Sequence, residues 1–257
     1  MNSAAYWSDR FTSFGHTGWS NPVIYCYDQP ERLSIIESAI LKWSNRTGSA
    51  LDFGCGTGDF SKLLLQLGYT VCGYDPYVKP PVNSSQFSHA ASYESIPFEQ
   101  HEATLVLSIT ALDHILEEGA FRHALAVIRR LLNPAGIVIL LEYALDSASD
   151  REQFGLNNHY QAFRTLADWR MHLGETGFSV VEVMPAPHPL LNPSTGFLKY
   201  SQSGIVRMRN LCKRVPMVRS WFNPWLKQAA GQVIREIRPE LQPATVSPLK
   251  LICCLPA

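Results

Sequence analysis

The 257-residue sequence has no excess charge of either sign: 22 lysines and arginines stand against 22 aspartates and glutamates. A chain so balanced is not drawn as a whole to nucleic acid or anionic membrane by long-range charge. Nor does any stretch approach the roughly 18 apolar residues of a membrane-crossing helix. The opening MNSAAYWSDRF puts charges and aromatics where a secretory leader needs an apolar run. Cysteines 26, 55, 72, 212, 253 and 254 form no C-x-x-C pair, and no histidine stands at zinc-ligand spacing. No metal is therefore expected, and reduced thiols in a cytoplasmic protein are. Internal repeats and low-complexity tracts are lacking as well. What is present is 46% hydrophobic residues, enough for one large α/β domain or a domain with a cap.

The most informative stretch is ALDFGCGTGD, residues 50–59. It reads as the end of a buried strand, a turn through Gly54, Gly56 and Gly58, and a helix with apolar positions at Phe60, Leu63, Leu64 and Leu67. Glycines at such a corner supply positive φ or let a ligand approach the backbone, and the free N–H groups of the new helix face it. The spacing is G-x-G-x-G, unlike the G-x-G-x-x-G of dinucleotide folds, and no P-loop lysine follows. A second strand-like run, Tyr69 to Tyr74, ends at Asp75, whose carboxylate could accept hydrogen bonds from ribose hydroxyls.

LDFGCGTG followed by VCGYD resembles the first two motifs of the class I S-adenosylmethionine-dependent methyltransferases. The resemblance covers about residues 48–183 and the last strand. It implies a Rossmann-like, seven-stranded, mostly parallel sheet with an antiparallel last strand. S-adenosyl-L-methionine is the implied cofactor, with Asp52, Gly54, Gly56 and Gly58 on its methionine portion and Asp75 on its ribose. In FSHAASYESIPF, Ser92 stands where the family carries the aspartate that meets the adenine amino group. Ser108, near the end of the buried strand TLVLSI, completes the expected donor set.

The acceptor side reads less directly. Ser108-Ile109-Thr110-Ala111 lacks the Asn or Asp, prolines and aromatic of members that methylate exocyclic amines, so that chemistry is disfavoured. Asp113 and His114 follow at the carboxyl edge, where ligands of open α/β sheets collect. His114 could act as a general base oriented by Asp113, or pair with backbone at a helix start. Trp19 and Tyr25, from an aromatic-rich and irregular segment at residues 4–30, are expected in the substrate pocket, with Tyr143 and His159. A helix is expected from Pro30 to Trp43, another from Glu118 to Leu132, and a third capped by Thr165.

Residues 1–47 are expected to form an N-terminal cover, 48–184 with 248–257 the core, and 185–247 a helical insertion between strands six and seven. Nine basic residues in the insertion, against Glu236 and Glu240, give it a net charge of +7 and leave −7 for the rest. It reads as a cap on the acceptor pocket, a solvated helical face, or a surface for an anionic partner. The leading expectation is methyl transfer to O, N or C of a small molecule. Two alternatives stand beside it: a protein of this fold that binds the cofactor without transferring methyl, as a cyclisation catalyst or assembly partner, and methylation of RNA or a carrier-bound substrate, or contact with a membrane, through residues 196–238.

Overall fold

In the computed structural model the described residues are 3–16, 18, 22–45, 47–153, 160–188, 225, 226, 229 and 247–257. Alternating βα units follow the hydrophobic pattern: β1 Ser49–Phe53, α3 Asp59–Gln66, β2 Thr70–Tyr74, β3 Phe87–Ala90, β4 Ala103–Ile109, α4 Glu118–Leu131 and β5 Leu132–Leu145. After them come α5 Asp150–Gln153, β6 Arg164–Thr165, α6 Leu166–Glu175, β7 Phe178–Pro185 and β8 Leu249–Pro256. Two helices precede the sheet, α1 Ser3–Phe14 and α2 Pro22–Trp43.

The sheet order is β3-β2-β1-β4-β5-β8-β7, with the two-residue β6 pairing on β5. β8 runs antiparallel to both β5 and β7, and the other pairings are parallel. This is the expected Rossmann-like sheet. Its central parallel strands β1, β2, β4 and β5 are largely buried on both faces, as parallel strands between helices must be. Leu51, Phe53, Val106 and Leu140 face the side of α4 and α6, with Leu125, Ile128 and Trp169. Ala50, Leu105, Leu107 and Ile139 face α2 and α3, with Ile36, Ile40 and Leu64. Since β1, β2, β4 and β5 are parallel, their carboxyl ends converge on one edge.

The aromatic N-terminal segment, expected to be irregular up to Pro30, is largely helical, and Pro30 lies inside α2 rather than at its start. An interior proline costs about 3 kcal/mol of helix stability. Against that cost, Val23, Ile24, Cys26 and Tyr27 are all buried in the turns before it. Asp28 also pairs with Arg32 across it at 2.6 Å. In contrast, α6 starts where the sequence indicated: Thr165 Oγ1 accepts from Asp168 N–H and the Asp168 carboxylate reaches back, a complete capping box. The turn LLNPAG does not separate α4 from β5 but bulges within the strand, where Leu132 pairs with Ala103 and pairing resumes at Ile137 and Leu105.

Among the described residues no helix is long and apolar enough to cross a membrane. The helical insertion expected at 185–247 lies almost wholly outside the described residues.

Candidate active site

Gly54, Gly56 and Gly58 adopt φ of 76, 48 and 75°, so each alternate residue of the corner is left-handed, the conformation that only glycine takes at little cost. The corner is stitched to the neighbouring strand: Gly54 and Cys55 N–H both donate to Tyr74 O, at 2.7 and 2.9 Å. At Gly54 a Cβ would lie 2.2 Å from Ala111 Cβ, which brings the end of β4 hard against the turn. Beneath it Asp52 is buried and accepts Ser61 Oγ–H at 2.6 Å. Burial pushes its carboxyl up to about 7. Asp75 accepts Gly56 N–H at 3.0 Å on Oδ2, and Tyr77 and Val78 N–H at 2.9 Å on Oδ1. One carboxylate thus fixes the glycine corner against the loop after β2.

A cavity of about 510 Å³ opens over this corner. One wall is a single face of α2, where Tyr25, Gln29 and Arg32 follow at i, i+4 and i+7. Tyr25 O–H and Gln29 Nε2 both donate to Asp59 Oδ2, each at 3.1 Å, which ties α2 to the first turn of α3. Arg32 is the one Lys or Arg among the lining residues. Its Nε pairs with Asp28 and its Nη1 donates to Thr110 Oγ1 at 3.1 Å. Thr110 has φ of 47°, unusual for a β-branched residue and typical of backbone held under strain at a working edge.

The far end is aromatic. Trp7 of α1 meets the His114 ring edge-on with centroids 4.7 Å apart, and Tyr6 stacks on Tyr160 at 4.4 Å. Tyr25 stacks flat on His16 at 3.7 Å. Phe53, Tyr74 and Tyr93 line the opposite side. His114 Nδ1 lies 2.7 Å from Tyr160 O. Gln161 Nε2 donates to Asp113 Oδ2, Ala162 N–H to Asp113 O, and Arg164 Nη2 to Ile115 O. Residues 160–164 are thereby fastened across the end of β4.

Of the residues singled out in the sequence, Gly54, Gly56, Asp75, Tyr25 and His114 line this cavity. The others do not. Asp52 lies below it, and Gly58 serves the loop, since a Cβ there would come within 2.6 Å of Val82 Cγ2. Ser92 is exposed and spends its polar groups on Ser95, capping the short turn Tyr93–Ser95, so its neighbour Tyr93 takes the cavity position instead. Ser108 is buried and donates to Glu142 Oε1 at 2.7 Å. Asp113 is buried under the wall. Tyr143 is buried on the α2 and α3 face of the sheet, outside the cavity lining, its hydroxyl 3.1 Å from His188 Nε2. Trp19 and His159 lie outside the described residues.

Sequence reasoning does not reach Arg32, Gln29, Asp59 and Thr110, and it takes in Trp7 only as part of the aromatic segment at residues 4–30. The i, i+4, i+7 spacing of Tyr25, Gln29 and Arg32 is a legible signal, hidden when the helix is started at Pro30. Among the described residues no group of three or more His, Cys, Asp or Glu is disposed to hold a metal ion.

A family profile described as "Methyltransferase domain" matches residues 27–183. No protein of curated function matches the sequence. Among solved structures, the chain is similar to the 1,6-didemethyltoxoflavin N1-methyltransferase of Burkholderia thailandensis, which holds 1,6-didemethyltoxoflavin and S-adenosylhomocysteine. The identity is 22% over 72% of this chain and 81% of that one, with a TM-score of 0.53. A phosphoethanolamine N-methyltransferase of Haemonchus contortus, in complex with phosphomonomethylethanolamine and S-adenosylhomocysteine, is 16% identical over 97% of this chain and 60% of that one, TM-score 0.56. An S-adenosylmethionine-dependent methyltransferase of Archaeoglobus fulgidus is 11% identical over 86% and 93%, TM-score 0.50. At these identities the likeness is one of fold.

Proposed function

The chain belongs to the methyltransferase domain family, and from that premise we propose that it uses S-adenosyl-L-methionine to methylate a small-molecule acceptor. The observation that carries the reading is a single cavity of about 510 Å³ that joins the glycine corner and Asp75 to an aromatic end at Trp7 and His114. That volume falls in the range of sites that engulf small ligands. Solved structures of the same fold hold S-adenosylhomocysteine, which supports the choice of donor.

The residues present suit that donor. A carboxylate has about four acceptor sites; Asp75 uses three on backbone N–H groups, which leaves Oδ2 able to accept a ribose hydroxyl. The Arg32 guanidinium, held rigid by Asp28 and Thr110, suits the carboxylate of the amino-acid portion. Phe53, Tyr74 and Tyr93 offer ring faces to the base. The bound sulfonium would supply an already activated methyl group. The chain's own work is then to hold acceptor and donor in line and exclude water, an effect worth about 7 to 11 kcal/mol. We assign the 185–247 insertion to capping the acceptor end, with residues 1–47 as the cover opposite.

Isothermal titration with S-adenosylhomocysteine tests the reading directly. Binding is expected, and Asp75→Ala should weaken it by about tenfold or more, the worth of a hydrogen bond to a charged group. No heat at ligand concentrations on the order of 1 mM would overturn it. Release of homocysteine-containing product in a screen of small acceptors then separates methyl transfer from binding alone.

A further inference from the structure

Two donors from one face of α2 converge on a single oxygen of α3. Tyr25 O–H and Gln29 Nε2 both end on Asp59 Oδ2 at 3.1 Å, while Oδ1 stands 3.9 Å from Lys62 Nζ. One turn further on, Arg32 Nη1 reaches Thr110 Oγ1 at 3.1 Å. The i, i+4 and i+7 positions of α2 thus rest on two separate supports of the cavity, the first turn after the glycine corner and the strained residue after β4. The Tyr25 ring is itself fixed in direction. His16 stacks flat upon it at 3.7 Å, and a Cβ at Gly18 would come within 2.9 Å of two of its carbons.

The sequence of α2 explains why such a fastening is needed. Pro30 stands between Gln29 and Arg32 and has no N–H to give Cys26 O, so a helix hydrogen bond is missing where the first turns meet the rest. Beyond that point Ile36, Ala39 and Ile40 are set into the core against the sheet. Before it, Val23, Ile24, Cys26 and Tyr27 are buried. Apolar burial is non-directional and fixes rotation about the helix axis only coarsely, whereas hydrogen bonds hold it within a narrow range of angles. We propose that Asp59 is a positioning residue: acting through Tyr25 and Gln29, it sets the rotation of α2 and so aims the Arg32 guanidinium into the cavity. This deepens the proposed function and rests on it for the ligand that Arg32 meets.

The positioning role belongs to one oxygen and not to the charge. Because both donors end on Oδ2, a single amide oxygen with two lone pairs can take its place. Two other roles for Asp59 have different requirements. As an acidic residue in the first turn of α3 it also favours that helix through the helix dipole, which needs the charge. As a lining residue it could meet a ligand directly, which needs neither Tyr25 nor Gln29. Substitution separates all three.

The test is titration of the full chain with S-adenosylhomocysteine, beside urea denaturation. Asp59→Ala should weaken binding about tenfold, the scale of a lost hydrogen bond to a charged group. Asp59→Asn, which keeps an acceptor oxygen, should stay within about threefold of the wild type. In a Tyr25→Phe/Gln29→Ala background, where both donors are gone, Asp59→Ala should add less than about twofold, as expected of groups that act as a unit. An Asn variant as weak as the Ala variant, or an undiminished loss in that background, overturns the proposal; the first assigns Asp59 to its charge, the second to the ligand. Should Asp59→Ala not fold, Tyr25→Phe/Gln29→Ala strips the same oxygen of its donors and should show the same loss, and wild-type affinity there overturns the proposal. Failure of the wild-type protein to bind S-adenosylhomocysteine would sink the functional reading. The fastening is then judged by urea denaturation, where the effects of Asp59→Ala and Tyr25→Phe/Gln29→Ala should be smaller together than their sum, and simple additivity overturns it.

Discussion

At the residue scale, Gly54 and Asp52 show how closely the cavity floor is made. Gly54→Ala would meet both a left-handed φ, worth about 1 to 2 kcal/mol, and a methyl 2.2 Å from Ala111 Cβ. Thermal denaturation should therefore show a large loss of stability, and Gly54→Ala/Ala111→Gly should recover the steric part alone, leaving the backbone part. Asp52 gives a pH effect. Its folded pKa of about 7 lies above the ordinary 3.8, so proton binding favours the native state. That contribution is present below pH 4 and lost as pH rises through 7, at about 1.4 kcal/mol for each pH unit that separates the folded and unfolded values. Asp52→Asn has no such proton to lose, so urea denaturation should show it gaining on the wild type between pH 5 and pH 8. A gap that does not change with pH would refute the assignment. Asp75 and the three glycines were legible because a strand-to-helix turn writes its needs in consecutive residues. Thr110 was not, because nothing local asks a threonine for positive φ; the contact that holds it comes from Arg32, 78 residues away.

Among the elements, those with local start signals were readable: α3 after the glycines, α4 by its apolar spacing, α6 by the Thr165 capping box. The start of α2 was not, because Pro30 looks like a first-turn proline, whereas tertiary burial of residues 23–27 carries the helix through it. That proline hides the helix face that walls the cavity. Arg32 and Asp28, 8% and 2% exposed, are paired on that face, and removing one partner of a buried pair typically costs about 3 to 5 kcal/mol because the other charge is stranded. Arg32→Gln should lose stability on that scale and weaken S-adenosylhomocysteine binding. Asp28→Asn/Arg32→Gln should restore much of the stability but not the affinity. Recovery of both in the double variant would show that Arg32 only holds α2 in place and leaves the ligand untouched.

For the whole molecule, the question is how a chain of zero net charge with a +7 insertion divides its work. The sheet edge gives a handle. β7 and β8 are antiparallel neighbours with Pro185 opposite Lys250, and Ala186 N–H donates to Leu249 O, so the chain leaves and re-enters the sheet at adjacent points. Two antiparallel strands so placed can be joined by a short turn. Replacing residues 189–246 with such a turn should therefore leave the sheet, the glycine corner and Asp75 in place. Leu226 and Ala229 are buried, so the shortened protein gives up some apolar contact and should melt at a lower temperature. If the insertion caps the acceptor end, S-adenosylhomocysteine affinity should change by less than about threefold while acceptor turnover is lost. Loss of donor binding in a variant with intact circular dichroism would assign the insertion to the donor instead. Retained turnover whose salt dependence disappears would assign it to attracting an anionic acceptor. The three outcomes differ because the glycine corner and Asp75 stand on β1 and β2, neighbours in sequence, while the aromatic end of the cavity draws on elements far apart in the chain, which is also why the sequence pointed more directly to the corner.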